Sequence, residues 1–514
     1  MEQKLKYKLK KIFFHQLKDL GTFLGAVYAL FIGSALMILE YYVDFGSLLQ
    51  LNILDTYLRL VAVANILISI LIGISLTTFS VIFVVMQLAS SQFSPRILRH
   101  FLVSDFKMQK FIGLFVGTIS LCVLPQLASV FYHETPFLLT LLVGSLFAFY
   151  ALAWSYPKMI TYLSINMNVS SITNRIKLDM VEEINSLYPD NWYVGKNLLY
   201  KRARIDPDKF KIEIVSPFES GYLDSVNYKK LEKLSAYMMG SAVGLSFENA
   251  YQKPIVGEFI MKDTTVLLAL IFKNEISTDQ IAVVRQEVNS IVREAFKVEQ
   301  FRSHTQDINF GVRKLVDIAI KAISPAVNDP TTCLNCIDQI GEIAKELSLK
   351  EFPSADSRAI EFKNIHVNEF SFEEFIDFCY DQIFQWGKDD PTVVKRILRS
   401  IRILLPLVQN PFHLKILIQQ VVEMELMNIY NLSNYENGNL KISKEKLTTI
   451  EVELANFNQK AKLQIEVLTK KGILEQYQNN HYSDNAVIVK AEEEAIAYLQ
   501  NFYESVSISA SKSR

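Results

Sequence analysis

Apolar residues crowd the front of the chain and then give way to two shorter rhythms. Four long stretches, at about 20–43, 60–89, 111–132 and 136–160, are almost free of charge. At ~1.5 Å per residue each can cross a hydrocarbon core of ~30 Å, which predicts four transmembrane helices. No carboxylate, Lys or Arg falls in mid-span, which argues against a proton- or sodium-coupled pump.

The second stretch carries a stripe of small and polar residues. Ser69, Gly73, Thr77, Ser80, Gln87 and Ser91 recur at helical spacing, and only Val84 interrupts them. One reading is a close helix–helix seam, since Gly and Ser let backbones approach and Ser, Thr and Gln bond across helices. The other is a pore wall, where uncharged polar groups face water in a ring of copies. The two agree if the seam lies between subunits. The stripe runs into "QLASSQFSPRIL", where Gln92, Ser94, Pro95, Arg96 and Arg99 mark the expected membrane junction. Pro95 would end or kink the helix there, and the two arginines would meet anionic headgroups.

Past residue 160 the rhythm changes. Residues 165–188 read as a helix leaving the membrane, and "FKIEIVSP" and "TTVLLALIF" read as strands, with a helical segment at 228–239 between them. The stretch from Gly221 to Ile271 has the cadence of a small barrel-sandwich similar to biotinyl and lipoyl carriers. Its Met261-Lys262 imitates the carriers' modified lysine, but no tight hairpin is evident around it. It is read as a surface turn, and no cofactor is expected.

Helical spacing returns at 279–300, 306–323, 330–348, 371–387, 392–408, 412–432, 444–471 and 488–505, with polar loops at 351–369 and 434–442. The expected architecture is a membrane α-helical domain followed by an α+β region and an all-helical one. Its divisions are a basic segment 1–19, the four-helix domain 20–160, an α+β domain 161–300, a helical domain 301–505 and a disordered tail 506–514.

Composition fits a mixed chain: half of its 514 residues are apolar and 21% are charged. The net charge of −1 gives no argument for nucleic acid. Distribution says more. Six lysines precede the first span, the connection at 90–110 holds Arg96, Arg99, Lys107 and Lys110, and Lys158, Arg175 and Lys177 follow the fourth. The connection at 44–57 carries Asp44 and Asp55 and no base, and the one at 133–135 has neither Lys nor Arg. Such alternation predicts both termini and the large C-terminal region on the cytoplasmic side of a bacterial inner membrane. Glu40, Tyr41 and Tyr42 then fall at the outer interface, where a carboxylate can snorkel.

Four cysteines, at 122, 333, 336 and 379, are too few for a disulfide framework. Cys333 and Cys336 form a CxxC with no second pair at zinc spacing, so they are read as small buried residues and no metal is expected. P-loop, dinucleotide, zincin and nucleophile-elbow motifs are absent and the seven His do not cluster, which argues against an enzyme.

One stretch, "ISPAVNDPTT", interrupts what would otherwise be one long helical pattern. Asn328-Asp329-Pro330 is a helix start, an Asx cap followed by proline in the first turn, and the same grammar recurs at Asp390-Pro391 and Asn410-Pro411. A ligand role stays open beside capping, because free amides at a helix start attract anions.

Together, "VVMQLASSQFSPRIL" and "QDINFGVRKLVDIAIKAISPAVNDPTT" resemble the signature pair of the DUF2254 family of predicted bacterial inner-membrane proteins. The resemblance marks Gln87, Gln92, Ser94, Pro95 and Arg96, then Gln306, Asp307, Phe310, Gly311, Ser324, Pro325, Asn328, Asp329 and Pro330. The arginine-rich run expected before the second motif is reduced here to Arg302. The resemblance implies an integral membrane protein with a cytoplasmic domain and names no reaction. Two functions are expected from these features: a homo-oligomeric channel with a cytoplasmic gating domain, or a membrane-anchored scaffold or sensor. The partners are the bilayer, further copies of the chain, and a small ion or anion of unknown identity.

Overall fold

The computed structural model describes residues 21–43, 53–92, 106–131, 137–166, 168–188, 210–231, 233–234, 247–303, 306–350, 365–368, 370–436, 444–475 and 486–512. They group into two units, Met1–Ile172 and Thr173–Arg514.

The first unit is helical: α1 (Gly21–Tyr42), α2 (Ile53–Gln92), α3 (Phe106–Phe131), α4 (Leu138–Tyr150), a π-helical turn Ala151–Ser155 and α5 (Tyr156–Asn166). Among the described residues, three segments are long and apolar enough to cross a membrane: Asp55–Val81, Lys110–Val130 and Leu138–Tyr162. The last runs through α4, the π turn and α5. The first apolar stretch also forms a helix, but its apolar part among the described residues, Val27–Tyr42, is shorter than a span. Three candidate spans therefore stand where four were expected. α2, at 40 residues and thus about 60 Å, is longer than a bilayer core requires. α1 packs on α3, and α4 packs on α2 and α3.

Glu40 does not snorkel. It is 9% exposed, and its carboxylate accepts from the backbone N–H groups of Leu139 and Thr140 and from the Thr140 hydroxyl. The last turn of α1 thus caps the first turn of α4, satisfying amides that a helix start leaves without partners.

In the second unit, α6 (Val169–Leu187, entering from the first) precedes β1 (Phe210–Val215), β2 (Gly221–Val226), β3 (Phe247–Gln252), β4 (Phe259–Ile260), β5 (Val266–Phe272), α7 (Thr278–Ala295) and β6 (Phe296–Glu299). Then come α8 (Ile308–Ala322), α9 (Pro330–Ser348), β7 (Ile365–His366), α10 (Phe372–Gly387), α11 (Pro391–Leu404), α12 (Pro411–Glu436), α13 (Lys444–Lys470) and α14 (Ala486–Lys512). Two small sheets result, with strand orders β1-β5-β3-β7 and β4-β2-β6. β5 is apolar on both sides and buried from Leu267 to Phe272, which explains its central place. α7 lays Val284, Val288 and Val292 on the core formed with Ile212, Ile214, Leu268 and Leu270.

Three sequence expectations change here. The helix read over 279–300 stops at Ala295, because Phe296 and Val298 alternate with Lys297 and Glu299 and pair antiparallel with β2. The loop at 351–369 contributes β7, whose Ile365 and His366 run parallel to Ala250 and Tyr251 of β3. The α+β and helical regions are therefore stitched together across the boundary placed at 300. The tail read as disordered is helical to Lys512. Met261-Lys262 begins a turn between β4 and β5, with Lys262 ion-paired to Glu219 at 2.5 Å. The carrier-like region contributes β2 to β5 to two sheets that also take in β1, β6 and β7 from outside it.

Candidate functional site

Within the first unit the polar stripe of α2 points away from the chain's own helices. Ser69, Gly73, Thr77, Ser80 and Gln87 are all exposed, whereas Ala64, Ile68 and Leu71 face inward. A β-carbon built on Gly73 would meet nothing within 4 Å. The hydroxyls bond backward along the helix, Ser69 to the Asn65 carbonyl at 2.8 Å, Thr77 to Gly73 at 2.9 Å and Ser80 to Leu76 at 2.9 Å. Asn65 is itself exposed, four residues before Ser69, and so extends the stripe. The spacing of four alone could have revealed it. Ser91 and Gln92 close α2, and Ser94, Pro95, Arg96 and Arg99 lie outside the described residues.

A second concentration of polar groups surrounds the start of α8. Asp307 is the N-cap: its carboxylate accepts from the Phe310 amide at 3.0 Å. The same carboxylate receives the Arg302 guanidinium in a two-pronged pair, 2.5 Å from Nε and 3.1 Å from Nη2. Burial pushes the Asp307 carboxyl above the usual range, while Arg302 and the Phe310 amide pull it back. The single arginine left upstream of the motif is thus committed to its own aspartate.

Gln306 adopts a left-handed backbone (φ 58°), a conformation costly for a side chain of this size. Bonds to other elements hold it. Its side chain accepts from Val226 N–H at 3.0 Å and donates to the Val226 carbonyl at 3.3 Å, and its own N–H donates to Glu183 at 3.3 Å. Gly311 lets α6 approach, since a β-carbon there would stand 1.7 Å from Sδ of Met180. At Gly257 (φ 95°) a β-carbon would run into Asp307 and Arg302. Glycine meets both the conformation and the space there.

Lys314 lies one turn on from Phe310 and is 5% exposed, its ammonium 4.9 Å from the Phe310 ring centre. Burial lowers its pKa, with Asp179 and Asp307 opposing that fall. Asp224 of β2 accepts from Ser303 at 2.5 Å and pairs with Lys297 at 3.2 Å. The whole is a charge-balanced clamp that joins β2, α6 and α8. Among the described residues no group of three His, Cys, Asp or Glu is arranged to hold a metal ion. Lys314, Asp224 and Glu183 were not singled out in the sequence. Only the placing of Lys314 on an apolar helix face, four residues from Phe310, hinted at a part.

The other half of the motif is elsewhere. Fifteen residues of α8, about 22 Å, separate Asp307 from the turn at Ser324–Pro330. In that turn the Ser324 carbonyl accepts from Val327 N–H at 3.0 Å and Asn328 N–H at 2.9 Å, and Asn328 takes φ 48°. Asp329 caps α9, accepting from Thr332 N–H at 3.1 Å and its hydroxyl at 2.6 Å. The nearby arginines pair with other carboxylates, Arg302 with Asp307 and Arg313 with Asp317 at 2.7 Å. Asp390 caps α11 by accepting from Thr392 N–H at 2.8 Å, and Asn410 accepts from Phe412 N–H at 2.8 Å. Cys333 and Cys336 are buried behind this turn, and burial pushes the Cys333 thiol up to about 12.

Comparison with known proteins places this geometry in context. The family described as "Predicted membrane protein (DUF2254)" matches residues 21–402. Uncharacterized proteins of Mycobacterium bovis and Mycobacterium tuberculosis are 26% identical over 329 residues, 63% of this chain and 59% of theirs. The match thus spans under two thirds of those relatives. No solved structure matches.

Proposed function

Since the chain belongs to the DUF2254 family of predicted membrane proteins, we propose that it forms a homo-oligomeric pore, α2 lining or joining the subunits. One observation carries this reading: the Asn65–Gln87 stripe faces outward from its own bundle. The hydroxyls of the stripe are satisfied by carbonyls one turn back, but the amides of Asn65 and Gln87 would be costly against lipid. Copies inserted the same way round bring each amide level with its counterpart, either in contact or around water. The permeant species is a small ion.

Further parts of the reading are topological. α1 completes four spans, both termini are cytoplasmic in a bacterial inner membrane, and residues 173–514 form the assembly or gating domain rather than an enzyme. The charge alternation of the connections supports that orientation. The π turn at Ala151–Ser155 is a local unwinding of a kind that recurs at functional positions.

Planar-bilayer conductance of the purified protein tests the pore, with Thr77→Leu and Gln87→Leu as variants. Unitary currents altered by both support it. A silent protein, or currents indifferent to both changes, overturns it. The back-bonded hydroxyls favour a second reading, a scaffold whose α2 tolerates lipid as a monomer. A Gly73→Cys variant that never cross-links between copies would support that one.

A further inference from the structure

We propose that a second copy of this chain docks through unlike faces of the helical hairpins, the acidic face of α10 in one copy against the basic face of α11 in the next. The packing of the hairpins puts those faces on opposite sides. α8 packs on α9, α10 on α11 and α12 on α13, while α8, α10 and α12 pack in succession and so do α9, α11 and α13. Three helical hairpins are thus stacked in two layers, the architecture of an α-solenoid. Between the layers the Tyr380 hydroxyl of α10 meets the Ser400 hydroxyl of α11 at 2.8 Å, both residues buried. The exposed residues of α10 and of α11 therefore look away from one another.

Charge is divided between these two helices. α10 holds Glu373, Glu374, Asp377 and Asp381 and no base, whereas α11 holds Lys395, Arg396, Arg399 and Arg402 and no acid. Some charges beside them cancel within the copy, Arg313 of α8 with Asp317 and Lys345 of α9 with Glu342. α9 and α13 each lend a carboxylate to α11, Asp338 to Arg396 and Glu453 to Arg402. Two bases are left over. Lys395 and the exposed Arg399 have no acidic partner among the described residues, and they stand one turn apart, about 6 Å. On α10 the remainder is acidic. Glu374 accepts from the Ser371 N–H, but Glu373 is exposed without a partner among the described residues, and the exposed Asp381 receives only the Gln420 amide.

Each face also carries an apolar anchor, Trp386 at the end of α10, 66% exposed, and Ile403 on α11, 49% exposed. Charges that set register around apolar anchors are what a specific interface uses. A second copy is the occupant because one chain carries both complementary halves, whereas an acidic or a basic partner would account for only one. Contact between unlike faces is head-to-tail, the kind that generates rings. The inference rests on the homo-oligomeric part of the proposed pore and does not need conduction.

The test uses full-length chains in detergent, whose four native cysteines are buried. Gln385→Cys on α10 and Thr392→Cys on α11 replace exposed residues on the two faces. A flexible bis-maleimide should join these two variants when they are co-expressed and join neither to its own kind. Adding Arg399→Glu to the Thr392→Cys chain should lower that yield about tenfold, since like charges then face each other, and adding Asp381→Arg to the Gln385→Cys chain should restore it. Efficient joining of either variant to itself, or a mixed yield no higher than with an exposed Asn274→Cys control, overturns the inference. So does an Arg399→Glu chain that cross-links as before. Loss without restoration assigns Arg399 to a different ligand, which also overturns it. Cross-links in a protein that passes no current sink the pore and leave this interface standing; currents without these cross-links do the reverse.

Discussion

Gly311→Ala should change sign with its partner. A β-carbon at that position stands 1.7 Å from Sδ of Met180 and 2.6 Å from both Cγ and Cε. Ordinary contact lies near ~3.5 Å or more, so Met180 must retreat by about 2 Å. It has little room, because Met180 is 1% exposed. Overpacking of this kind costs ~1–3 kcal/mol, and alanine in a helix interior recovers ~1 kcal/mol relative to glycine. The net expectation is a loss of up to ~2 kcal/mol. Met180→Ala alone should cost ~2–5 kcal/mol through the cavity it leaves. In that background the obstacle is gone, and Gly311→Ala should stabilise by ~1 kcal/mol. Denaturant unfolding of the four full-length proteins in one detergent, followed by circular dichroism, closes the cycle. If Gly311→Ala stabilises by the same amount in both backgrounds, α6 and α8 do not meet here.

Other expectations follow from single groups. Asp329→Ala should cost ~0.5–2 kcal/mol in thermal stability and Asp329→Asn much less, since both Asp and Asn cap; an Asn variant as damaged as Ala would mean that charge matters there. Lys314→Met should stabilise the protein. The lysine's folded pKa lies below its unfolded one, so its charged form is penalised at neutral and acid pH, and the advantage of Met should close as pH rises toward ~10.4. A Met variant less stable at pH 7 would show that Asp179 and Asp307 outweigh the burial. Glu40→Ala leaves the first amides of α4 without their acceptor and should lower stability in detergent by ~1–3 kcal/mol, with Glu40→Gln intermediate. An unchanged melting temperature in the Ala variant would remove that cap from the account.

The helical pattern was legible because apolar spacing and Asx-Pro starts are local. Asp329, Asp390 and Asn410 each cap the helix that their sequence predicts. Chemistry that depends on distant partners was not legible. Glu40 read as an interfacial carboxylate because its donors lie about a hundred residues away. Gln306 and Gly311 stood out only by resemblance, and their reasons are contacts with Val226, Glu183 and Met180 on other elements. The stripe of α2 was visible as spacing, but whether it faced its own bundle required coordinates. Short strands were the least visible, since two residues such as Ile365 and His366 carry no period.

That last strand governs the order in which the protein can form. β3 is flanked by β5 on one side and on the other by Ile365–His366, which arrive only after α8 and α9 have been synthesised. His366 also stacks on Tyr251 at 4.5 Å, and Asn368 donates to the Lys253 carbonyl at 2.7 Å. While a ribosome is still translating residues 300–360, β3 therefore presents a bare edge, the kind of surface on which nascent chains pair with one another. A fragment cut after residue 300 would hold that edge open permanently, whereas one extended past Asn368 would close it. The sheet matures late, and the excisable piece is longer than the strands alone suggest.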